Sequence, residues 1–486
     1  MNRPVIFFIS LFIMEASYLV GSKNIYASDN NCIESIAVGT EYIKVNGQNP
    51  LSCQFKKSNA IYEINTVIDL CGKSLIIPAN CCLFFNGGSL TNGTLIGNHS
   101  RIYAPFGRIF SSDVKFQGTF SSDCLRLSWW GTYGSYDNSK EVQAALDAIL
   151  SFDNRILYFD MPVRITDVSF VLKYSPGVIF FGGSNSSQGA NVITVFGCNS
   201  HGIDISGTEN LQFRNIQFYG EKSNPPSCLL YASRHSDNKQ SPGHKFYNTN
   251  FGGYATKSFV YNYSGESWSF NDCSFRVESN DNIMAAYYGT TINSLAEKSK
   301  FGQMEEAINS LTVSSFNGCS FFIRSSAPAV LFEGGINKRG TLKNVTSIYF
   351  SNCYFYCELN SSVKLYNCSG NVAFINCVDE SGAVNSEMRN TAFIDISGSL
   401  GFDGLTLINN TFYAKKDTKL LNADVDVSNY NAQGNKVINN GGVWYFKKLV
   451  TASHVGLSPI EKFIAKSGKS VNVITTNEKQ TNVFIN

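Results

Sequence analysis

The hydrophobic and polar positions between Leu211 and Asn429 follow a short motif that returns along the chain. The motif reads apolar-x-aromatic-x-Asn-small-x-Phe, as in Phe213-Arg-Asn215-Ile-Gln-Phe218. Its copies are centred on Asn215, Asn248, Asp272, Gly318, Asn352, Asn376, Asn409 and, in a worn form, Asn429. These centres lie 33, 24, 46, 34, 24, 33 and 20 residues apart, with 46 interpreted as two units. A repeat of this period predicts a solenoid, whose units bury their apolar faces only against their neighbours.

The spacing within the motif predicts a bend at its centre. Phe213 and Asn215 are two residues apart and share one side of a strand, whereas Ile216 and Phe218 have the opposite parity. Both pairs face the core only if the chain bends after Asn215, and Asn tolerates such a turn. Stacked units then place the corner amides about 4.8 Å apart, as a hydrogen-bonded ladder inside the solenoid. The alternative is that Asn is merely common in turns.

Short apolar runs separated by turn residues continue the β pattern on both sides of the repeat. The pattern over residues 28–125 predicts a small N-terminal β module. This module is a candidate for the first coils of the solenoid. The pattern over residues 126–430 predicts a parallel β-helix, and residues 431–486 are expected to form a segment that closes its far end. The segment 281–311 breaks the rhythm, and we expect a long excursion there with a helix-like part at 295–311.

One helix is predicted ahead of the coils. Its apolar face is formed by Val142, Ala145, Leu146 and Ile149. Either Asn138 or Ser139 is the expected N-cap. The helix would cover the open end of the stack, where an exposed sheet edge otherwise pairs with other chains.

Composition and the N-terminus favour an exported protein. The 486 residues are 43% hydrophobic and 16% charged, and the formal net charge of +2 does not favour a nucleic-acid partner. Arg3 followed by the apolar run Val5–Met14 resembles a signal peptide, predicted over residues 1–27. The run is too short to span a membrane. The expected location is therefore secreted, periplasmic or at the cell surface.

Cysteine usage points to buried thiols rather than to a metal site. Of the 14 cysteines, four share one inward frame of the repeat: Cys273, Cys319, Cys353 and Cys377. We expect most of these four to be reduced, because small thiols pack well in a core. A disulfide stays open among five cysteines outside the repeat: Cys32, Cys53, Cys71, Cys81 and Cys82. No pair or cluster has zinc-site spacing, so no metal is predicted.

The order of elements also carries a resemblance. A Trp130-Gly131 turn, a polar loop, an amphipathic helix with an Ala-rich face, a strand and then Asn-bearing coils follow one another. This order resembles the pectate-lyase-like right-handed parallel β-helix superfamily over residues 64–430. The stretch from Leu75 to Ile102 is similar to the leading module of secreted β-helix proteins of gut Bacteroidetes. The resemblance implies an all-β solenoid, but lyases, glycoside hydrolases, epimerases, adhesins and phage tailspikes share it, so it does not fix the activity.

Active sites in that superfamily usually lie on the outer face of the strand that precedes the motif in each coil. Outward parity in those strands selects Asp204, Asn262, Glu333, Lys364, Tyr366 and Asp395. Glu333, Lys364 and Asp395 fall on three successive predicted coils. Two strand spacings put the two carboxylates about 9–10 Å apart, near the upper limit for the acid and base of an inverting glycosidase.

Lys364 would lie between these two carboxylates and favour the charged form of one of them. The alternative is a solvated face with scattered charges. A shift of the register by one residue would remove the arrangement altogether.

A second candidate is the polar segment that contains Arg234, His235, His244 and Lys245. Histidine and cations suit a lyase base or a clamp for acidic sugars, although a plain surface loop is the alternative. The paired Asp-Asp and Gly-His-Gly of polygalacturonase-like enzymes are absent. The calcium-binding Asp cluster and the Arg-Pro-Lys-like motif of pectate lyases are not evident either, so no catalytic residue is carried over from the superfamily.

The sequence therefore predicts a secreted β-helix protein that acts on a complex polysaccharide, as a glycoside hydrolase or a lyase. The alternative is a non-catalytic carbohydrate-binding or surface-structural β-helix. No cofactor is predicted, and a calcium requirement and the oligomeric state are left open. Trp129 and Trp130 suit either sugar stacking or core packing.

Overall fold

The computed structural model describes residues 41–485 apart from 48–50, 105–106, 132–135, 171–176, 184–190, 234–239, 264, 279–282, 293–310, 336–344, 382–391, 400, 415–417, 439–441, 450–470 and 477–479. The predicted signal peptide, the helix-like part at 295–310 and Cys32 lie outside these residues. Within the described part, the regular structure is almost all strand, with one α-helix at Ser139–Ala148 and short 3-10 turns at Leu51–Cys53, Leu127–Trp130 and Ile149–Ser151.

The chain winds as a right-handed parallel β-helix in which each coil gives one strand to each of three sheets. The first sheet contains Asp167–Ser169, Gly202–Asp204, Cys228–Ala232, Ser258–Tyr263, Ala285–Thr290, Val330–Glu333, Val363–Tyr366, Ala392–Ser397 and Gly442–Leu449. The second contains Leu125–Arg126, Ile156–Phe159, Ile179–Gly182, Gln212–Arg214, Lys245–Tyr247, Ser269–Asn271, Leu311–Asn317, Val345–Ser351, Gly370–Ile375 and Phe402–Ile408. The third contains Val163–Ile165, Val192–Val195, Gln217–Gly220, Asn250–Gly253, Ser274–Val277, Ser320–Ile323, Tyr354–Cys357, Val378–Asp379, Thr411–Tyr413 and Lys436–Ile438. The predicted fold class is confirmed.

The two ends of the solenoid differ. The N-terminal strands are Glu41–Val45, Ala60–Ile64, Val67–Asp69, Ser74–Ile76, Cys82–Phe85, Ser89–Thr91, Gly93–Tyr103 and Val114–Ser121, and all of their pairings are parallel. At the far end, Thr418–Gln433 pairs with strands of both the first and the second sheet. An antiparallel hairpin, Val471–Thr476 with Gln480–Ile485, then adds to the edge of Gly442–Leu449.

The predicted helix is confirmed at the start of the main coils. It occupies Ser139–Ala148, Asn138 is its N-cap residue, and Val142, Ala145 and Leu146 are buried. The Gln143 side chain exchanges two hydrogen bonds with the backbone of Ser169, with distances of 2.8 Å each. Because these bonds join the helix to a strand edge of the first complete coil, the helix caps the stack as expected.

The bend predicted at the centre of the motif is confirmed by the backbone angles. Asn215, Asn352 and Asn376 have φ of 56°, 54° and 54°, which is the left-handed conformation that Asn tolerates. A single left-handed residue turns the strand between the second and third sheets. As a result, the Phe residues before and after the corner both face inward, as Phe213 and Phe218 do.

The expectation that the corner amides lie inside the solenoid is wrong. Asn248, Asn352 and Asn376 are solvent-exposed. The positive φ points each corner side chain outward, an effect that parity counting along an extended strand does not include. Neighbouring amides still bond in places, since Asn248 Nδ2 donates to Asn215 Oδ1 at 3.0 Å. The ladder therefore runs along an outer edge of the solenoid.

The interior column at the corner is built by the residue that follows the Asn. Its members in successive coils are Ile216, Thr249, Cys273, Cys319, Cys353, Cys377 and Asn410. The polar groups of five members bond to a backbone carbonyl of the preceding coil, as when Cys353 Sγ donates to Phe316 O at 3.3 Å. All four cysteines of this frame are buried free thiols, which confirms the prediction. Cys53, Cys71, Cys81 and Cys82 are also free.

Two columns of phenylalanine fill the core beside the corner. The second-sheet column is Phe180, Phe213, Phe246, Phe270, Phe316, Phe350 and Phe374, with centroids 4.5–5.0 Å apart. The third-sheet column is Phe218, Phe251, Phe275, Phe321 and Phe355, with centroids 4.8–5.2 Å apart. Stacking in register explains why the motif repeats its two aromatic positions in every coil.

Three assignments along the repeat are corrected by the strand register. Ser269–Asn271 pairs directly with Leu311–Asn317, so the 46-residue interval is one coil with a long insertion rather than two units. The strand Ala285–Thr290 lies within the segment expected to be an excursion and takes a regular place in the first sheet. Asn429 is not a further copy of the Asn215 corner, because its neighbour Tyr430 pairs with Leu405 in the second sheet.

Candidate functional site

The outer face of the first sheet carries two columns of side chains that run along the solenoid. In the first column, register pairs connect Asp204, Tyr231, Tyr261, Tyr288, Leu331, Lys364, Asp395 and Asn422. The second column lies two residues further along each strand. Its register pairs connect Tyr263, Thr290, Glu333, Tyr366 and Ser397. We call these residues the first-sheet face.

The register changes the predicted arrangement of the two carboxylates. Lys364 lies directly beside Asp395, as expected, on successive coils. Glu333 pairs with Tyr366 instead of Lys364, so it belongs to the second column. Two strand spacings and a two-residue offset place the Cα atoms of Glu333 and Asp395 about 12 Å apart. The expected alignment of Glu333, Lys364 and Asp395 in one row is therefore wrong.

Glu333 is held by the aromatic side of the face. The Tyr288 hydroxyl donates a hydrogen bond to Glu333 Oε2, and Thr290 Oγ1 donates to the Glu333 carbonyl at 3.0 Å. Tyr288 is only 6% exposed and packs with Tyr261 at a centroid distance of 5.5 Å. The Glu333 carboxylate thus stands at the boundary between a buried tyrosine cluster and the open part of the face.

The open part of the face contains Lys364, Tyr366 and Asp395. Asn422 Nδ2 donates to Asp395 Oδ1 at 2.8 Å, which orients this carboxylate along the column. Tyr366 is 43% exposed, while Lys364 and Asp395 are half-buried. This part of the face therefore presents a cation, an anion and an exposed ring within two neighbouring coils, groups that suit the hydroxyls and the apolar face of a sugar.

An aromatic column occupies the coils on the other side of Glu333. His201 stacks on Tyr231 with centroids 4.2 Å apart, and Tyr231 stacks on Tyr261 at 5.1 Å. Lys257 Nζ lies 3.7 Å from the centroid of the Tyr261 ring, a cation–π contact. Tyr261 is nearly buried, whereas His201 and Tyr231 are half-exposed, so the column opens to solvent at its His201 end.

These tyrosines are not predicted from the sequence, for two reasons. The strand of Tyr261 is given the wrong parity, and no first-sheet strand is expected at Tyr231 or Tyr288. Parity counting predicts Asn262 on the outer face, but Asn262 is fully buried and its Nδ2 donates to Tyr287 Oη at 3.0 Å. The outward residues of that strand are its neighbours Tyr261 and Tyr263, which belong to a separate cluster with Tyr288. The available signal was the repetition of tyrosine in three consecutive coils.

The remaining predicted site residues are scattered. Asp204 begins the first column, half-buried, and accepts a hydrogen bond from the Ser206 backbone N–H at 2.9 Å. Lys245 is exposed on the second sheet, not on the first-sheet face. Arg234 and His235 lie outside the described residues. Within the described part of the chain, the fold thus does not bring the polar segment together with Glu333 or Asp395.

His244 corrects the expectation of an exposed polar loop. It is fully buried against Trp268, with ring centroids 4.9 Å apart, and its Nδ1 accepts the Leu211 backbone N–H at 3.2 Å. Burial lowers the pKa of His244 to about 3, so the ring is neutral in the folded protein. A residue enclosed in this way has no path to a substrate. Trp129 and Trp130 are also buried, which favours core packing over sugar stacking.

Among the described residues, no group of three or more His, Cys, Asp or Glu side chains is placed to hold a metal ion. Of the helices described, none has the length and apolar character needed to cross a membrane.

Comparison with known proteins gives only distant structural similarities. No family model and no curated protein matches the chain. It is similar to PfbA, a surface adhesin of Streptococcus pneumoniae, with 11% identity, 88% of this chain and 91% of that chain covered, and a TM-score of 0.36. The catalytic domain of a GH87 alpha-1,3-glucanase is matched with 10% identity, coverage of 82% and 66%, and a TM-score of 0.28.

Tailspike protein 2 of an Escherichia coli O157:H7 bacteriophage is matched with 8% identity, coverage of 75% and 62%, and a TM-score of 0.31. The fold of this chain is established by its own strand pairing, and similarities this distant do not indicate a shared activity.

Proposed function

We propose that this protein is an exported β-helix protein of the pectate-lyase-like kind that acts on a complex polysaccharide, which lies along the first-sheet face. The observation that carries the proposal is the alignment of rings and charged groups in register along the solenoid axis. A solenoid presents such a row as one extended surface, which suits a polymer better than a small ligand.

The active part of the surface is assigned to the coils around Glu333, Lys364 and Asp395. In the catalytic form of the proposal, Glu333 is the general acid, Asp395 activates water or removes a proton, and Lys364 is the cation beside Asp395 in the next strand. Tyr366 supplies a ring on which a pyranose can stack. Asp204, at the far end of the same column, is assigned to binding.

The offset between Glu333 and Asp395 favours a second candidate, a carbohydrate-binding protein without catalysis. The two carboxyl groups of an inverting glycosidase are about 6.5–9.5 Å apart and those of a retaining enzyme about 5–5.5 Å apart. With a Cα separation of about 12 Å, the carboxyl groups of Glu333 and Asp395 reach the inverting range only if both side chains extend towards each other. Tyr288 also occupies one oxygen of Glu333.

The test is a glycan panel assayed for both binding and products. Purified protein is incubated with neutral and uronate-containing polysaccharides, and reducing ends and the absorbance of unsaturated uronate are followed. Three variants are compared with the wild type: Glu333→Gln, Asp395→Asn and Tyr366→Ala. Tyr136→Ala serves as the matched control, because Tyr136 is 74% exposed and lies ahead of the helix, outside the first-sheet face.

Each outcome decides between the candidates. Product formation that falls at least about 100-fold in Glu333→Gln and Asp395→Asn supports the enzyme and its site. Binding without product that weakens only in Tyr366→Ala supports the binding protein. Failure of every glycan to bind the wild-type protein overturns both.

A further inference from the structure

The outer face of the third sheet carries a second ordered array, which shares no residue with the first-sheet face. Arg276, Phe322 and Tyr356 are register partners in three successive coils. Ser320 and Tyr354 form a parallel pair two residues earlier in the same strands. Phe322 lies at the centre of this array and is 40% exposed, which is unusual for a phenylalanine.

Aromatic rings and guanidinium groups enclose a groove around Phe322. Its volume is about 330 Å³, and it is lined by Arg276, Val277, Phe322, Arg324, Tyr354 and Tyr356. The Phe322 ring lies 5.5 Å from the Tyr354 ring and 6.4 Å from the Tyr356 ring, measured between centroids. The volume falls within the range of small-ligand sites. We call these residues the Phe322 groove.

The polar groups around the groove are already oriented by one another. Arg276 Nε lies 3.0 Å from Glu278 Oε1, and Arg324 Nε lies 3.5 Å from Glu358 Oε1. The Tyr354 hydroxyl donates to Glu380 Oε2 at 2.7 Å. Burial and the adjacent Glu380 carboxylate raise the pKa of Tyr354, so its hydroxyl stays protonated as a donor at neutral pH.

The charge balance selects the kind of ligand. Two guanidinium groups and three carboxylates border the groove, which leaves it with a formal charge of −1. A polyanion such as a polyuronate is disfavoured there, because each guanidinium is already neutralised and Glu380 adds a negative charge. Hydroxyl groups, in contrast, can donate to the carboxylates and accept from the arginines.

We propose that the Phe322 groove is a second glycan-binding site, which takes a neutral polysaccharide through a pyranose ring stacked on Phe322. The aromatic centre meets the apolar face of the ring, and the bordering ion pairs meet its equatorial hydroxyls. The site shares its ligand class with the proposed function but none of its residues. It holds the polymer at a place separate from the first-sheet face, which raises the effective concentration of glycan there.

Isothermal titration calorimetry with four neutral probes and one charged probe tests the proposal. The neutral probes are cellohexaose, xylohexaose, maltohexaose and laminarihexaose, and the charged probe is trigalacturonic acid. Titrations use the full chain carrying Tyr366→Ala, so that binding on the first-sheet face is weakened throughout. Phe322→Ala is added to this background, with Phe322→Tyr to retain the ring. Tyr349→Ala is the matched control, since Tyr349 is 38% exposed and lies on the second sheet.

At least one neutral hexaose is expected to bind, with an affinity that falls at least about tenfold in Phe322→Ala and stays within about twofold in the other two variants. Equal binding by Phe322→Ala and the control overturns the site. Binding of trigalacturonic acid alone, or of no probe, overturns the proposed ligand and with it the proposal. Because Tyr366→Ala is present throughout, loss of the first-sheet function alone does not produce any of these failures.

Discussion

At the scale of single residues, Val313 lies at a corner of the solenoid in a conformation that does not suit valine. Val313 has φ of 56°, in the left-handed region, where a β-branched side chain clashes with its own backbone. Ser347 holds the same corner in the next coil with φ of 61°, and Asn371 follows with 54°. Val313 is 47% exposed, so little buried surface compensates for this strain.

Replacing Val313 with Asn is expected to raise the free energy of unfolding by about 1 kcal/mol, because Asn adopts the left-handed conformation at lower cost. Urea unfolding followed by circular dichroism measures the difference. Val67→Asn is the matched control, since Val67 is also an exposed valine but lies in a regular strand. An equal effect of the two substitutions, or a loss of stability in Val313→Asn, would contradict the strain at this corner.

The corners also show which features of single residues can be predicted from the sequence and which cannot. Asn at position 215 predicts a left-handed bend because few other residues tolerate one, and the bend is there. The direction of the Asn215 side chain was misjudged, since counting by twos assumes an extended backbone at every step. Val313 could not be predicted at all, because its own conformational preference opposes the corner and only its neighbours in the stack impose it.

At the scale of one column, the phenylalanine stack of the third sheet is interrupted by a carboxylate. Asp379 occupies the register position between Phe355 and Phe412 and is 3% exposed. Ser362 Oγ donates to its Oδ2 at 3.0 Å, and the Ser381 backbone N–H donates to its Oδ1 at 2.5 Å. Phe393 closes the gap in the stack, 5.3 Å from Phe355 and 5.1 Å from Phe412.

The buried carboxyl of Asp379 makes the stability of the solenoid depend on pH. Burial raises the pKa of Asp379 to about 6, so the folded protein binds this proton more tightly than the unfolded chain does. The favourable contribution is fully present below about pH 4 and is lost as the pH rises through about 6. In Asp379→Asn, the amide oxygen can accept from Ser381 and the amide Nδ2 can donate to the Ser362 hydroxyl oxygen, so both partners stay bonded. This variant is expected to be more stable than the wild type by about 3 kcal/mol at pH 8.

At pH 4 the same comparison is expected to give a difference below about 1 kcal/mol, because the wild-type carboxyl is then largely protonated in the folded state. Urea midpoints of both proteins at the two pH values provide the measurement. Other titrating groups, such as His244, are common to both proteins and cancel in the difference. A gap that stays constant from pH 4 to pH 8 would show that the Asp379 carboxyl is not the titrating group.

At the scale of the whole molecule, the architecture could be predicted from the sequence, whereas the site could be predicted only in part. Each copy of the repeat marks one coil, because its apolar positions stack in register on those of the neighbouring coils. The sheets can therefore be predicted from the repeat. Which residues share a row on the first-sheet face depends on how many residues each long insertion adds before the next strand. The periodicity of the repeat does not reveal that number. The pairing of Glu333 with Tyr366 instead of Lys364 is such a two-residue shift, and it separates the two carboxylates.

The position of the four tryptophans makes the cohesion of the solenoid measurable. Trp129 and Trp130 lie near its start, Trp268 in its middle and Trp444 in the last parallel strand of the described chain. Each coil is stabilised by its two neighbours, so a coil in the middle has twice the support of a coil at an end. Trp268 is fully buried between coils, while Trp444 is 9% exposed and contacts Phe412 at a centroid distance of 5.6 Å.

Two single-tryptophan proteins, one retaining Trp268 and one retaining Trp444 with the others changed to Phe, should therefore unfold at different urea concentrations by fluorescence. We expect the Trp444 midpoint to be lower than the Trp268 midpoint by about 0.5 M, which follows from about 1 kcal/mol less local stability at a slope of about 2 kcal/mol per molar urea. Circular dichroism of both proteins provides the control for the substitutions themselves. Coincident fluorescence midpoints would contradict this expectation. They would mean that the coupling between coils is stronger than the difference in local stability between the middle and the end, so that the solenoid unfolds as one unit despite its length.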